Sequence, residues 1–443
     1  MQDTVRPVLS SLRMKNFKGF RDAELHLGPF TVLVGANASG KSNVRDALRF
    51  LHGVGRGYSL AEIFGEKYSE GGELVWEGIR GGTREAAFFG SQDFEIEFAG
   101  NANPEATVEK IVYSVQVLPK EKGGPQVAHE ALDRWSGNTR EPVFRWPIDP
   151  NVSARLDDRL AEEVGRARAL EGKSYTPASR PMLHHLGHAE WVRSGRPAYW
   201  DGEVREMRTC LTASENFECI RFFDFDPDQM REYSAPGANR MGHRGENLSS
   251  VLMELWENPA TRESIKSWLS ALTPMDVADM AFPADASGRV LLEIIEPGGR
   301  RVSAHSVSDG TLRFLAMLGA LLSPHTGGLY FFEEIETGLH PTRLHLLVDL
   351  IESRVRNPDL HPLQVVATTH SPMLMSMLSE QSRQDASLVY RLEGTPESRI
   401  RRIVEFPEVQ EVLEREDWGR LMESGWMENT AHFSEPEREE SVP

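Results

Sequence analysis

Cysteine is almost absent from this sequence, which has two in 443 residues, Cys210 and Cys219. Two cysteines build neither a disulfide framework nor a four-ligand zinc site, and this usage is typical of a reducing cytoplasm. Basic residues are also few, 49 against 67 acidic ones, and the formal net charge is -18. Proteins that bind nucleic acid are more often basic, so the charge does not favour nucleic acid as a partner. It does not exclude a local basic groove.

Long apolar runs are missing as well. No stretch approaches the 18 uncharged apolar residues of a transmembrane helix, and the first twenty residues lack the apolar centre of a signal peptide. We therefore expect a cytoplasmic protein without a membrane segment. The 40% of hydrophobic and 26% of charged residues are ordinary for a globular chain, whose length suffices for two or three domains.

One glycine-rich segment has the pattern of a phosphate-binding loop. Residues 30–34, FTVLV, read as a buried strand, and 35–42, GANASGKS, fit G-x-x-x-x-G-K-[ST]. Apolar residues then recur at the spacing of one helix face. In such a loop the lysine, here Lys41, reaches the β- and γ-phosphates of ATP, and the Ser42 hydroxyl ligates Mg²⁺. The candidate nucleotide contacts of this segment are Gly35, Asn37, Ser39, Gly40, Lys41, Ser42 and Asn43.

Two further apolar segments end in polar residues that suit the same chemistry. Residues 329–332, LYFF, precede Glu333 and Glu334, of which the first can hold the metal and the second can act as general base on water. Residues 363–367, LQVVA, lead to His370, which can donate to a γ-phosphate. Ligands of open α/β sheets bind at the carboxyl ends of strands, so we expect these groups to converge.

A serine-rich turn precedes a strongly apolar segment from about residue 311 to 322. Ser308 or Asp309 is expected to cap this helix, and the same turn, with Gly310, can contact a phosphate at the helix N-terminus.

The order of these segments resembles the ABC-type ATPases of the SMC and RecF-like branch. More narrowly, it is similar to stand-alone AAA-type ATPases with an ABC-like site, relatives of the ATPase parts of overcoming-lysogenization-defect nucleases. The resemblance rests on GANASGKSN (35–43) as Walker A, SVSDGTL (306–312) as signature motif, LYFFEE (329–334) as Walker B, IETGLHP (335–341) as D-loop and TTHSP (368–372) as switch histidine. EDWGRLMESGW (416–426) resembles the short C-terminal tail of the group.

Two positions depart from the usual pattern. Walker B ends in Glu333-Glu334 where Asp-Glu is more common, and Ile335 replaces a proline while Glu336 stays in place. The order of the motifs allows three candidates for the Q-loop glutamine, and the sequence does not decide among them: Gln92, Gln116 and Gln229.

The resemblance implies an α/β fold: an ABC-type P-loop NTPase head with a mixed sheet, an antiparallel β subdomain and a mainly helical insertion. The predicted domains are an N-terminal ATPase lobe (1–125), an insertion or lid (126–280), a C-terminal ATPase lobe (281–400) and a tail (401–443). Segments between residues 94 and 146, such as FEIEF, IVYSVQVLP and PVFRW, are expected to form antiparallel strands.

The resemblance also implies a mechanism. Each protomer binds ATP with Mg²⁺, and the signature turn of a second protomer, led by Ser308, closes on the γ-phosphate in a homodimer or larger homo-oligomer of heads. We expect an ATPase that acts as a dimerising switch, as sensor or scaffold for a separate effector protein in phage defence. The alternatives are a RecF- or SMC-like DNA-binding ATPase in DNA repair, and a nucleotide-binding protein that does not turn over.

Two features outside these motifs carry weaker expectations. His184 and His188, with His185 between them, have the spacing of metal ligands on a helix, but no further ligand is evident. Arg240 and Arg244 can face a phosphate, although a solvated surface is the plainer interpretation.

Overall fold

A computed structural model describes residues 9–72, 74–101, 110–120, 123–146, 179–181, 183, 201–270, 277–323, 327–357 and 360–406. The chain divides into two compact units. The first unit comprises Met1–Gly28, Ala38–Ile220 and Arg391–Ile400. The second comprises Pro29–Asn37, Arg221–Tyr390 and Arg401–Pro443. The boundaries predicted at residues 125, 280 and 400 stay predictions. The three histidines at 184, 185 and 188 and the segment 416–426 lie outside the described residues.

The elements are numbered in chain order. The strands are β1 (Leu9–Phe17), β2 (Phe20–His26), β3 (Phe30–Val34), β4 (Lys67–Tyr68), β5 (Leu74–Trp76), β6 (Phe94–Asn101), β7 (Lys110–Leu118), β8 (Gln126–Ser136), β9 (Thr139–Trp146), β10 (Ile220–Phe223), β11 (Asp279–Ala281), β12 (Glu293–Ile295), β13 (Arg301–Ser303), β14 (Gly328–Phe332), β15 (Leu363–Thr369), β16 (Ser387–Arg391) and β17 (Ser398–Arg402). The helices are α1 (Lys41–Gly55), α2 (Leu60–Phe64), α3 (Asp201–Glu218), α4 (Pro227–Met230), α5 (Leu248–Glu257), α6 (Pro259–Ser270), α7 (Asp309–Leu322), α8 (Pro341–Arg356), α9 (Pro372–Met377) and α10 (Glu380–Gln384).

The first unit is built on a sheet of mostly antiparallel strands in the order β17-β2-β1-β6-β7-β8-β9. Strand β7 alternates exposed or half-buried residues with buried ones, as expected when one face of a sheet covers a core. This confirms the antiparallel strands predicted between residues 94 and 146.

Helix α1 of the first unit packs its apolar face into an aromatic core. Phe50 lies edge-on to Phe94, with ring centroids 5.7 Å apart, and Phe94 also contacts Phe17. On another side α1 packs against α3, where Nδ1 of His52 is 3.0 Å from the Phe217 carbonyl oxygen. The second half of α1 is therefore packed against the core of the first unit.

The second unit has a largely parallel sheet in the order β10-β14-β15-β3-β16. Strands β3 and β15 are buried along their whole length, which is typical of parallel strands covered by helices on both faces. Helix α7 contributes an apolar face to this core, including Phe314, Leu315 and Leu318. A separate three-stranded antiparallel sheet, β11-β12-β13, leads into α7.

Candidate nucleotide-binding site

Three parallel strands of the second unit end at the same edge of its sheet. Val34 at the end of β3 lies opposite Thr369 of β15, and Phe332 at the end of β14 lies opposite Ala367. The residues that follow these strand ends are Gly35, Glu333 and His370. The sheet register therefore brings together the start of the glycine loop, the carboxylate pair and the histidine, as ligand sites of parallel sheets require.

The carboxylate turn after β14 is fastened to the end of β15. The backbone N–H of Glu334 donates to the Thr368 hydroxyl at 2.9 Å, and the N–H of Ile335 donates to the Thr368 carbonyl at 3.2 Å. The Thr337 hydroxyl donates to Oε2 of Glu334 at 3.3 Å. Glu333 is half-buried whereas Glu334 is exposed, so the second carboxylate is open to solvent while its backbone is fixed.

Glu334 has a left-handed backbone with a φ of 43°. A residue with a Cβ is uncommon in this region, because its side chain crowds the following carbonyl group. Such strain persists where the surroundings enforce it, and it concentrates at functional sites. The hydrogen bonds with Thr368 and Thr337 enforce it here, and they restrain both the backbone and the carboxylate of Glu334.

The histidine after β15 is held by a glutamate that the sequence motifs do not assign to the site. Oε1 of Glu336 accepts from the His370 backbone N–H at 2.9 Å and lies 3.1 Å from its ring Nδ1. A second contact of the strand end is local: the N–H of Ser371 donates to the Thr369 hydroxyl at 2.9 Å.

The serine-rich turn begins α7 as predicted, and Ser308 rather than Asp309 is its N-cap. Oγ of Ser308 accepts from the Thr311 N–H at 3.4 Å and shares a hydrogen bond with the Thr311 hydroxyl at 2.7 Å. Arg231 clamps the same turn, since its Nη2 donates to the Asp309 carboxylate at 2.5 Å and to the Val307 carbonyl at 3.1 Å. Sequence reasoning missed Arg231, because nothing local links residues so far apart.

The serine-rich turn lies against the segment 335–341. Gly310 is buried, and a Cβ at this position would overlap the Gly338 carbonyl oxygen. Arg343 packs beside Gly310, and burial lowers the pKa of its guanidinium from the ordinary value. The close approach of two glycines therefore sets the position of Ser308 relative to the carboxylate turn.

The glycine loop crosses between the two units: Gly35–Asn37 belong to the second and Ala38–Asn43 to the first. In the first unit Ala38 and Gly40 have positive φ values of 62° and 117°. Gly40 is the N-cap of α1, and no side chain in the described part of the chain caps that helix start. A Cβ on Gly40 would come within 2.9 Å of the Ser398 hydroxyl, so glycine is required for packing as well as for conformation.

The loop residues fit a phosphate ligand. An uncapped helix start that follows a turn of positive φ presents backbone N–H groups to an anion. The Ser39 hydroxyl is buried, and it has no hydrogen-bond partner among the described residues. The Lys41 residue is 8% exposed, so its charge is partly withdrawn from water. Ser42 follows at the second position of α1, where its hydroxyl suits a magnesium ion bound to phosphate.

A buried ion pair supports the start of α1 in the first unit. Nζ of Lys18, from the turn between β1 and β2, lies 2.8 Å from the Asp46 carboxylate, and both side chains are nearly inaccessible. Arg80 also pairs with Asp46 at 3.0 Å, and its Nη2 donates to the Ser42 carbonyl at 2.5 Å. The sequence motifs did not single out these three charged residues.

The remaining sequence candidates are less informative. Gln116 lies on β7 and donates to Asp93, while Gln229 is in the short helix α4, and neither arrangement selects a Q-loop glutamine. Arg240 and Arg244 are exposed, and the Arg244 N–H donates to the Glu246 carboxylate. Within the described residues, no helix has both the length and the apolar character required to cross a bilayer.

Together these features define the class of the protein. In the second unit a buried parallel strand leads into the glycine loop, a carboxylate pair and a histidine follow the neighbouring strand ends, and a serine caps helix α7; in the first unit the loop continues into helix α1. This is the arrangement of an ABC-like α/β P-loop ATPase head, and it confirms the predicted fold class.

The comparisons with known proteins agree. The family model described as "AAA domain, putative AbiEii toxin, Type IV TA system" matches residues 30–376, most of the chain, and the chain belongs to this family. Structural maintenance of chromosomes protein 1 of Saccharomyces cerevisiae is 30% identical over 216 residues, which are 48% of this chain and only 15% of that protein. The DNA replication and repair protein RecF of Cronobacter sakazakii is 25% identical over 328 residues, covering 65% of this chain and 84% of RecF.

Among solved structures, an SMC head bound to the C-winged helix domain of ScpA aligns with 89% of this chain and 97% of that chain. Its TM-score is 0.46 and its sequence identity is 16%. The family and the curated relatives place the chain among ATPases of the SMC- and RecF-like ABC class.

Proposed function

We propose that the chain is a magnesium-dependent ATPase whose heads dimerise around ATP and that it acts as a switch for a separate effector protein. One observation carries the catalytic part: the strand-end register of β3, β14 and β15, together with the enforced backbone of Glu334, directs three groups of suitable chemistry to one edge. The assignment of roles to individual residues follows from their chemistry.

The glycine loop binds the triphosphate. Backbone N–H groups between Gly35 and Ser42 surround the phosphates, and the Lys41 ammonium neutralises charge on the β- and γ-phosphates. The Ser42 hydroxyl and the Glu333 carboxylate hold the metal, directly or through water. Bound Mg²⁺ supplies charge neutralisation at the phosphate oxygens. Asn37, Ser39, Gly40 and Asn43 complete the loop contacts.

Hydrolysis requires an oriented water. The Glu334 carboxylate accepts a hydrogen bond from this water and takes its proton as the oxygen bonds to the γ-phosphorus, and the bond to the ADP oxygen breaks. His370 donates to a γ-phosphate oxygen, on which negative charge must be stabilised. Catalysis is then mainly positioning and charge stabilisation, because the reaction needs no covalent protein intermediate.

A second copy of the chain completes the site in this proposal. The turn of Ser308, Asp309 and Gly310 has two exposed polar residues in front of an apolar helix, and the N-terminus of that helix attracts an anion. In a homodimer of heads, or a larger homo-oligomer built from them, this turn of one copy contacts the γ-phosphate bound to the other. ATP then joins the heads, and hydrolysis releases them.

The direct test is ATP turnover with and without Mg²⁺ for the wild type, Lys41→Ala and Glu334→Gln. The expected result is metal-dependent phosphate release by the wild type, loss of ATP binding in Lys41→Ala, and retained binding without turnover in Glu334→Gln. Loss of ATP binding in Glu334→Gln would contradict the base role of this residue. A wild type that binds ATP without releasing phosphate would support the non-hydrolysing alternative.

The biological role in this proposal is a cytoplasmic sensor or scaffold in phage defence. The description of the matching family includes a putative toxin of a type IV toxin–antitoxin system, which favours a defence role. The net charge of -18 favours a protein effector over nucleic acid as partner. Recovery of one effector protein with the Glu334→Gln variant, dependent on ATP, would support this role.

A DNA-repair ATPase is the second candidate, favoured by the similarity to RecF over 84% of RecF's length. This function requires DNA contacts that raise hydrolysis. Duplex or single-stranded DNA that stimulates phosphate release several-fold at physiological salt would favour it, whereas DNA without effect on turnover would favour the effector role.

A further inference from the structure

Glu336 and His370 are in contact within the second unit, and the proposed roles assign a function to His370 but none to Glu336. Residue 336 follows the carboxylate turn, and residue 370 follows β15. A single oxygen, Oε1 of Glu336, accepts the His370 backbone N–H at 2.9 Å and lies 3.1 Å from Nδ1 of its ring. The Glu336 side chain is 11% exposed and that of His370 is 47% exposed. A largely buried carboxylate therefore holds one edge of an accessible imidazole.

This contact determines which ring nitrogen is available. Nδ1 lies 3.1 Å from the carboxylate oxygen, so the Nδ1-protonated form of the ring suits this contact and leaves Nε2 as the ring nitrogen for a ligand. In the charged ring Nε2 is a donor, which is the form that a phosphate oxygen accepts. Because the same oxygen also binds the backbone N–H, the ring and the main chain of His370 are fixed relative to one another.

The stability of the fold does not by itself explain a glutamate at position 336. Its second oxygen, Oε2, is buried and has no hydrogen-bond partner among the described residues. A buried carboxylate oxygen without a partner costs free energy that a neutral or apolar side chain would avoid. The backbone of the turn is secured by other bonds, since the Ile335 N–H donates to the Thr368 carbonyl and the Leu339 N–H donates to the Glu336 carbonyl.

We infer that Glu336 is the positioning residue of His370: its carboxylate holds Nδ1–H and the backbone N–H, and so presents Nε2 to a γ-phosphate oxygen of bound ATP. This inference rests on the proposed ATPase function. Glu336 itself touches neither the phosphate nor the attacking water in this assignment, and it acts entirely through His370.

The test is a double-mutant cycle on ATP hydrolysis with Glu336→Ala, His370→Ala and the double variant, measuring kcat and the Kd of ATP separately. Glu336→Ala is expected to lower kcat on the order of tenfold or more while the Kd of ATP changes by less than about threefold. In the His370→Ala background the Glu336 substitution is expected to add no further loss, because its partner is gone. Glu336→Gln keeps a hydrogen-bond acceptor on a side chain of the same size and is expected to recover part of the rate. It replaces Glu336→Ala in the cycle if the alanine variant folds poorly.

Two sets of results separate the inference from the function on which it rests. Independent, multiplicative losses from the two single substitutions, or full activity of both Glu336 variants beside an impaired His370→Ala, would overturn the inference and leave the ATPase intact. A wild type without turnover, or a His370→Ala variant with wild-type kcat, would overturn the catalytic assignment and the inference together.

Discussion

The backbone N–H of Glu334 donates to the side-chain hydroxyl of Thr368 at 2.9 Å, across two neighbouring parallel strands. This bond joins the carboxylate turn after β14 to the last residues of β15, and it fixes Glu334 in a left-handed conformation. The strand that carries the candidate histidine thus also orients the candidate general base, so a small change at Thr368 should affect catalysis.

Replacing Thr368 with valine keeps the shape of a side chain that is 2% exposed and removes the acceptor of the Glu334 N–H. We expect kcat for ATP hydrolysis to fall about tenfold, equivalent to about 1.4 kcal/mol of transition-state stabilisation, because the carboxylate loses its fixed direction. Steady-state phosphate release with a separate ATP-binding titration checks this. Thr368→Ser retains the hydroxyl and should behave almost as wild type; equal impairment of both variants would refute the hydrogen-bond argument.

Gly40→Ala tests the packing of the glycine loop in the first unit. The new Cβ would approach the Ser398 hydroxyl at a position whose φ is 117°, so both the conformation and the contact are unfavourable. ATP affinity is expected to fall at least about tenfold, measured by titration calorimetry. The matched control is Gly288→Ala, since Gly288 also has a positive φ, 80°, but no atom within 4 Å of the added Cβ. Similar ATP affinities in the two variants would show that the Ser398 contact is unimportant.

Arg231 is predicted to act on turnover through the serine-rich turn. Its guanidinium bridges Asp309 and the Val307 carbonyl, on either side of Ser308. Arg231→Met should lower ATP turnover severalfold and leave ATP binding by the monomer unchanged, because the turn acts on the γ-phosphate of a neighbouring copy in the proposed dimer. Arg300→Met is the control, since Arg300 is 76% exposed and pairs only with nearby Glu296 in the described contacts. Weakened ATP binding by Arg231→Met at concentrations where the chain is monomeric would contradict this role.

The Lys18–Asp46 ion pair is expected to stabilise the first unit. The two side chains are 8% and 2% exposed, so replacing Lys18 with methionine leaves the Asp46 charge buried, with Arg80 as a remaining partner. We expect a loss of about 3 kcal/mol and a melting temperature lower by several degrees. Lys120→Met removes an exposed lysine and should leave the melting temperature unchanged. Equal melting curves for the two variants would show that the buried pair contributes nothing.

Local patterns in the sequence predicted the elements that carry the candidate site. Strand β3, the glycine loop and α1 were predictable because the apolar residues Val44, Ala47, Leu48 and Leu51 recur at helical spacing directly after the loop, and all four are buried. The sequence limited the N-cap of α7 to Ser308 or Asp309, and the hydrogen bond from the Thr311 N–H to the Ser308 hydroxyl identifies Ser308 as the cap. The strand neighbours could not be deduced in the same way, because β3 pairs with β15, more than 300 positions away in the chain.

Charged residues in buried strands were the main obstacle to a fuller prediction. Strand β8 reads QVAHEALDRWS, which has no clean alternation of apolar and polar residues, and the sequence analysis did not single it out. Its charges are buried because partners on neighbouring strands compensate them: Asp133 pairs with Arg140 and Arg145 of β9, and Glu130 accepts from the Tyr113 hydroxyl of β7. The Glu336–His370 contact could not be predicted either, because hydrophobic periodicity contains no information on which distant segments of the chain pair with each other.

The most direct test of the proposed ATP-joined dimer is to measure the mass of the Glu334→Gln variant in solution with and without ATP and Mg²⁺. The account predicts twice the monomer mass in the presence of ATP, the monomer mass without it, and no ATP-dependent change for Lys41→Ala. Adding Ser308→Arg to Glu334→Gln should abolish the dimer while ATP still binds. A Glu334→Gln chain that binds ATP to saturation and keeps the same mass would contradict the claim that a second copy completes the site.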